Sequence, residues 1–170
     1  AGGLQPVHLA GGDDLGDRGG RPTDRSTSVI GTPVCSVPIM GIALRPPIAS
    51  VDRHISAPPE AVWRLLVDIR EWPHWGPSVR RAELDGGGSE LHAGARGTVW
   101  TVAGVRLPFT VTEFDAGHRW TWAVAGVSAT GHQVTETVGG CRVGFEVPWW
   151  ALAYLPVCAA ALARIDRLAR

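Results

Sequence analysis

The chain has 170 residues, and 16 basic residues are balanced by 16 acidic ones. That length predicts one domain, or one domain with a tail. With the charge balanced, nothing along the sequence resembles the basic stripe of a nucleic-acid-binding surface or the polybasic patch that holds a protein to an anionic membrane.

Residues 1–48 hold no aromatic side chain and carry nine Gly and six Pro. This is the composition of a disordered segment. Residues 1–47 are therefore expected to be a disordered Gly/Pro-rich tail, with a folded domain over 48–170. The single Met is Met40, and 1–39 are expected to be a tail or an over-extended reading frame. No apolar core of signal-peptide length follows a basic start, so no secretory signal is expected. Cys35, Cys141 and Cys158 are odd in number and widely spaced, which predicts free thiols in a cytoplasmic protein. All basic residues are Arg, and with abundant Ala and Gly this is the usage expected of a GC-rich bacterial genome.

Ile48 to Ile55 reads as a first strand. Pro58-Pro59-Glu60 then suits a helix entry, since Pro is tolerated in the first turn and Glu complements the N-terminal dipole. Val62, Leu65, Leu66 and Ile69 follow at i, i+3, i+4 and i+7, which predicts a helix over 59–69. Pro73 drives Trp72 away from helical geometry, so Glu71 to Pro77 is predicted to be a tight turn or a single helical turn that displays Trp72 and Trp75; the alternative is that these indoles pin the helix to the sheet. Alternating segments follow over 79–84, 95–102, 106–114, 119–124, 130–135 and 141–147, separated by Gly-rich turns. They predict an antiparallel meander with one buried face. Val147 to Ala163 is free of charge. Pro148, Pro156 and an amphipathic end argue against a membrane span, and Pro148 to Arg170 is predicted to be a buried helix.

Several segments resemble the START-like superfamily, also called SRPBCC or polyketide cyclase/dehydrase-like proteins. They are Ile55-Ser-Ala-Pro-Pro-Glu-Ala-Val-Trp63, Trp72-Pro-His-Trp75, Val111-Thr-Glu-Phe-Asp115, Arg119-Trp-Thr-Trp122, Gly131-His132 and Gly139-Gly-Cys-Arg-Val143. The resemblance spans Ile48 to Arg170. It implies an α+β helix-grip fold, a curved antiparallel sheet of six to seven strands wrapped around a long C-terminal helix, with a deep hydrophobic cavity. It does not single out a function, because the superfamily includes lipid carriers, cyclases, hormone receptors and subunits with no known ligand.

The candidate ligand-binding residues are Trp75, Trp100, Phe109, Trp120, Trp122, His132 and Tyr154. Trp120 and Trp122 lie two apart on a strand and share a face, and Trp100 and Phe109 lie on neighbouring strands. Indoles offer a flat apolar surface with one N–H donor, suited to a ring or isoprenoid ligand. His132 shares strand parity with Val134 and is expected to point inward, either to hydrogen-bond a ligand carbonyl or hydroxyl or to act as general acid or base. Glu113 is a second acid/base candidate whose facing depends on whether Val111 or Phe114 sets the parity. Scattered His residues without ligand spacing predict no metal site, and no cofactor is expected. Three functions remain: binding a hydrophobic small molecule such as a lipid, quinone or polyketide; polyketide cyclase or dehydratase catalysis; and protein interaction through exposed Trp72 and Trp75.

Overall fold

The computed structural model describes residues 40–45 and 48–170. In chain order the elements are β1 (Met40–Arg45), β2 (Ile48–Ile55), α1 (Pro59–Val67), α2 (Trp72–Trp75), β3 (Val79–Leu84), β4 (Arg96–Thr101), β5 (Arg106–Asp115), β6 (Arg119–Val124), β7 (Val127–Thr137) and β8 (Gly140–Pro148). A 3₁₀ segment (Trp149–Tyr154) then leads into α3 (Leu155–Leu168). The strands form one antiparallel sheet in the order β1-β2-β8-β7-β6-β5-β4-β3. After β2 the chain crosses through α1 and α2 to the far edge at β3. It then meanders back until β8 pairs with β2. This is the helix-grip architecture expected from the sequence.

The strand count is eight rather than six or seven. The additional strand is β1, whose Met40 pairs with Arg53 and whose Arg45 pairs with Ile48. It lies N-terminal to the boundary expected at Ile48. Averaging composition over a Gly- and Pro-rich stretch concealed it. Residues 1–39, with the expected tail and Cys35, lie outside the described residues.

The charge-free C-terminal run is not one helix. Val147 and Pro148 complete β8, six residues form the 3₁₀ segment, and α3 begins only at Leu155 with Pro156 in its first turn. Pro156 lacks the N–H an interior helical position would need, so it belongs at a helix start. Nor is the run buried throughout, for Trp149 and Trp150 are 64% and 57% exposed. Among the described residues no helix is long and apolar enough to cross a membrane.

Register shifts bend the sheet where β3 meets β4, at Thr112 of β5, and in β7 opposite Trp122. Each inserts a residue that turns the strand and increases its twist. Gly97 in β4 permits the tight approach of neighbouring strands, since a Cβ there would lie 2.1 Å from the Glu83 carbonyl oxygen and 2.8 Å from the Phe109 ring. α3 lies against the bent sheet through Cys158, Ala161, Leu162 and Ile165. It is also tied by charge: buried Asp166 accepts from Arg53 Nε of β2 at 3.0 Å and pairs with Arg53 Nη2 at 2.9 Å. Arg170 closes on the same carboxylate.

Removing one member of a buried ion pair strands the other charge, at a cost of about 3 kcal/mol. Asp166→Ala is therefore expected to lower the free energy of unfolding by about that amount, read from urea denaturation. The β6–β7 hairpin offers a change of opposite sign. Ala125 holds a φ of +51° beside Gly126 at +78°, a left-handed conformation that disfavours a Cβ by about 1 kcal/mol. Ala125→Gly is expected to raise stability by roughly that amount in the same assay.

Candidate functional site

The site starts from an unmet need of α1. The last carbonyls of a helix have no partner within it. The backbone N–H of Ile69, which would continue the ladder to Leu65, instead donates to Ser89. Two indoles fill the gap: Trp72 Nε1–H donates to the Leu66 carbonyl at 2.9 Å, and Trp75 Nε1–H to the Leu65 carbonyl at 2.8 Å. α2 is thereby folded against the end of α1, and both rings enter the core. Trp72 is 1% exposed and Trp75 6%. The segment is the single helical turn of the two alternatives, and its indoles pin α1 to the sheet rather than being displayed, so the protein-interaction reading loses the exposed pair on which it stood. The exposed tryptophans are Trp149 and Trp150.

Between α2, the concave face of the sheet, the 3₁₀ segment and α3 lies a cavity of about 360 Å³. This falls at the lower end of the range for small-molecule pockets, roughly 300–1,000 Å³. Its walls include Trp72 and Trp75 of α2, Trp120 and Trp122 of β6, Thr130 and His132 of β7, Phe145 of β8, and Cys158 and Ala161 of α3. Trp150 and Tyr154 of the 3₁₀ segment also line it, and the Tyr154 hydroxyl lies 2.5 Å from Ser78 Oγ, bridging to the loop before β3. No charged side chain is among the lining residues. Among the described residues no group of His, Cys, Asp and Glu has the makings of a metal site.

Of the residues singled out in the sequence, Trp75, Trp120, Trp122, His132 and Tyr154 line this cavity. Phe109 stands behind the wall, buried, with its ring 5.6 Å from both Trp72 and Trp122. Trp100 does not join them. Val99 is the buried residue at that point of β4, so the next side chain points to the opposite face, where the Arg81 guanidinium sits 5.0 Å from the Trp100 ring. Glu113 is likewise outside. The bulge at Thr112 resets the alternation of β5, leaving Phe114 packed on Trp63 at 5.9 Å and Glu113 exposed and paired with Arg119. Arg119 also binds Glu146 at 2.8 Å, so this charged cluster lies on the outer face, with both arginine pairs raising its pKa, that to Glu146 foremost. Thr130 was not singled out, although its parity with His132 marked it as a neighbour on the same face.

The polar atoms of the wall form a short chain. Trp122 Nε1–H donates to Thr130 Oγ1 at 3.0 Å, and Thr130 Oγ1 lies 3.2 Å from His132 Nε2. The imidazole stacks on Trp120, with ring centroids 3.9 Å apart and planes 18° apart, and meets Phe145 edge-on at 4.6 Å. Burial among these rings lowers the His132 pKa to about 3, with the Arg119 charge adding to the effect and the Trp120 backbone opposing it. His132 is thus a neutral hydrogen-bonding group at physiological pH. Burial also pushes the Cys158 thiol up to about 12 and Cys141 to about 11, so both free thiols are inert. The Tyr154 hydroxyl is raised by burial and partly relieved by Ser78.

Two outcomes follow. Unfolding frees His132 to take up a proton below its ordinary pKa of about 6.5, whereas the folded state resists protonation down to about pH 3. Stability attributable to His132 is therefore intact above about pH 6.5 and declines as pH falls through that window, by up to about 1.4 kcal/mol per pH unit. His132→Gln should flatten this acid limb in pH-dependent denaturation, and NMR should find the wild-type imidazole neutral at pH 5. Trp72→Phe would leave the Leu66 carbonyl without its donor and should cost about 1–3 kcal/mol of stability by urea denaturation.

Residues 47–167 match a sequence family described as polyketide cyclase / dehydrase and lipid transport. No curated protein matches the chain. Solved structures with the same fold include protein MLL2253 from Mesorhizobium loti, 16% identical, with a TM-score of 0.59 over 71% of this chain and 95% of that one. A protein from Rhodobacter sphaeroides is 19% identical, with a TM-score of 0.57 over 76% of this chain and 97% of its own. The AHSA1-like protein from Aeromonas hydrophila is 17% identical, with a TM-score of 0.53 over 71% and 90%. At such identities the likeness concerns the fold alone.

Proposed function

The chain belongs to the polyketide cyclase / dehydrase and lipid transport family, and from its site we propose that it binds an uncharged hydrophobic small molecule in the cavity beneath α3. The observation that carries this reading is a wall built of indoles, Phe145 and aliphatic groups, without a single charged side chain. Transfer of apolar ligand surface into such a site is favourable by roughly 25 cal/mol per Å². A charged group would lose its hydration there with nothing to replace it. Trp75, Trp120, Trp122, His132 and Tyr154 are the proposed contacts. The two buried thiols accord with a reducing, cytoplasmic setting.

The cyclase or dehydratase alternative needs an acid and a base within reach of one substrate. Here Glu113 stands on the outer face and His132 is held neutral to about pH 3. A base of that pKa has little proton affinity at neutral pH, so binding and release is the better-supported reading.

Ala161 of α3 lines the cavity, and a large ring at that position would take up part of its volume. Titration with the neutral fluorophore Nile red is expected to show saturable binding to the wild type. Ala161→Trp should weaken that binding at least tenfold, and Trp122→Ala should weaken it severalfold. Undiminished binding by a folded Ala161→Trp variant would refute the cavity as the site.

A further inference from the structure

One end of the sheet carries its apolar side chains on the outside. The antiparallel meander brings the β4–β5 and β6–β7 connections to that end, and the register of β8 on β7 carries Pro148 there as well. All three segments expose apolar residues. Val102 and Val105 are 64% and 52% exposed, Val127 is 52% exposed, and Trp149, Trp150 and Leu152 stand in solvent on the 3₁₀ segment. Residues 101–105, 123–131 and 147–163 contain no Asp, Glu, Lys or Arg. Arg106 follows Val105 but stands opposite Trp100, which places it on the outer face of the sheet. The connections at the opposite end differ. They and their flanks carry Asp85, Glu90 and Asp115, all exposed, with Val138 as their one exposed large apolar residue.

The cavity reaches the same end. Trp150 and Tyr154 are exposed and also line it, and Thr101, Val124 and Ala129 line it from the strand ends beside the two valine-bearing turns. The exposed apolar residues are therefore its rim. Soluble monomers seldom leave a large apolar patch in water without a use. A protein partner's interface is normally ringed by polar and charged groups, and the three uncharged segments supply no charge for such a ring. A bilayer surface requires none. Trp and Tyr favour the boundary between headgroups and hydrocarbon, and aliphatic side chains enter the hydrocarbon beneath it. An apolar guest would then pass between hydrocarbon and cavity without crossing water.

From this we infer that the rim formed by the β4–β5 and β6–β7 turns and the 3₁₀ segment docks on the surface of a lipid bilayer, by shallow apolar insertion and without help from anionic headgroups. The contact is peripheral, since among the described residues no helix is long and apolar enough to cross a membrane. The inference goes beyond the proposed binding function. It stands on exposed residues, and it rests on that reading only for the purpose that docking serves.

Co-flotation of the full chain with phosphatidylcholine vesicles tests this, with Nile red titration run alongside in vesicle-free buffer. The wild type is expected to float with these neutral vesicles, to gain no more than about twofold in binding when phosphatidylglycerol is added, and to remain bound in high salt. Trp149→Asp and Val127→Asp alter exposed side chains on separate segments, and neither residue lines the cavity. Each should weaken vesicle binding by about tenfold or more while leaving Nile red binding unchanged. Phosphatidylcholine brominated on its acyl chains should quench the fluorescence of the wild type, a measurement that needs no variant to fold. Absence of flotation, flotation that requires phosphatidylglycerol, or flotation undiminished in both variants would overturn the docking and leave the cavity reading in place. A dimer in light scattering that either variant splits would also overturn it, by assigning the rim to a second copy of the chain. A wild type that floats but fails to bind Nile red would overturn the cavity reading and leave the docking standing.

Discussion

Trp72 joins the two parts of the domain that the chain builds separately. Its N–H closes the open end of α1, while its ring lies parallel to Trp120 at 5.6 Å, meets Trp122 edge-on at 5.2 Å and approaches Phe109 at 5.6 Å. One side chain thus satisfies a helix-end carbonyl and anchors the α1–α2 corner in the middle of the meander. Aromatic pairs in such geometries add roughly 0.5–1.5 kcal/mol each beyond the area they bury. Without this anchor the corner would have no fixed place on the sheet, and Trp75, which depends on the same short helix, would not reach Phe145 at 5.7 Å or His132 at 6.2 Å.

The cavity is a consequence of that anchoring. Rigid indoles occupy the concave face at one end and stand too far from α3 to fill the remainder. α3 presents Cys158 and Ala161 toward that space, both small. Larger side chains, Leu162 and Ile165, are the ones fully buried against the sheet. A rigid wall facing a wall of small residues leaves room, because interiors relax only partly around a void. The Arg53–Asp166 pair ties α3 to β2 beyond the cavity lining.

Much of this was legible in the sequence, and the failures have physical causes. Period-two alternation found the strands of the meander, and 3.6-residue spacing found α1, because both patterns survive averaging over a few residues. Parity placed Trp120, Trp122 and His132 on one face correctly: Trp120 stands opposite His132, and the β7 bulge opposite Trp122 leaves the alternation of β6 itself unbroken. Parity could not place Glu113, because Thr112 bulges and a single inserted residue flips every side chain beyond it. Trp100 illustrates a different limit. Its size suggested the core, yet Val99 holds the inward position, and the indole covers the outer face beside Arg81. The roles of Trp72 and Trp75 depend on carbonyls six and ten residues earlier in the chain. The local pattern left open both alternatives, indoles that pin the helix to the sheet and indoles displayed at its surface, because the deciding carbonyls lie in α1.

The electrostatics of the wall follow from the same packing. His132 is buried and stacked on Trp120, so its charged form is disfavoured. The residue that sequence alone marks as a proton carrier is thereby turned into a fixed neutral donor and acceptor. Arg119, one residue before Trp120, keeps its charge on the outer face with Glu113 and Glu146. Around this wall the sheet thus separates two chemistries by side, the Arg119–Glu113–Glu146 ions without and the rings of Trp120, Trp122 and His132 within. The cavity wall so organised presents mainly apolar surface and no charged side chain.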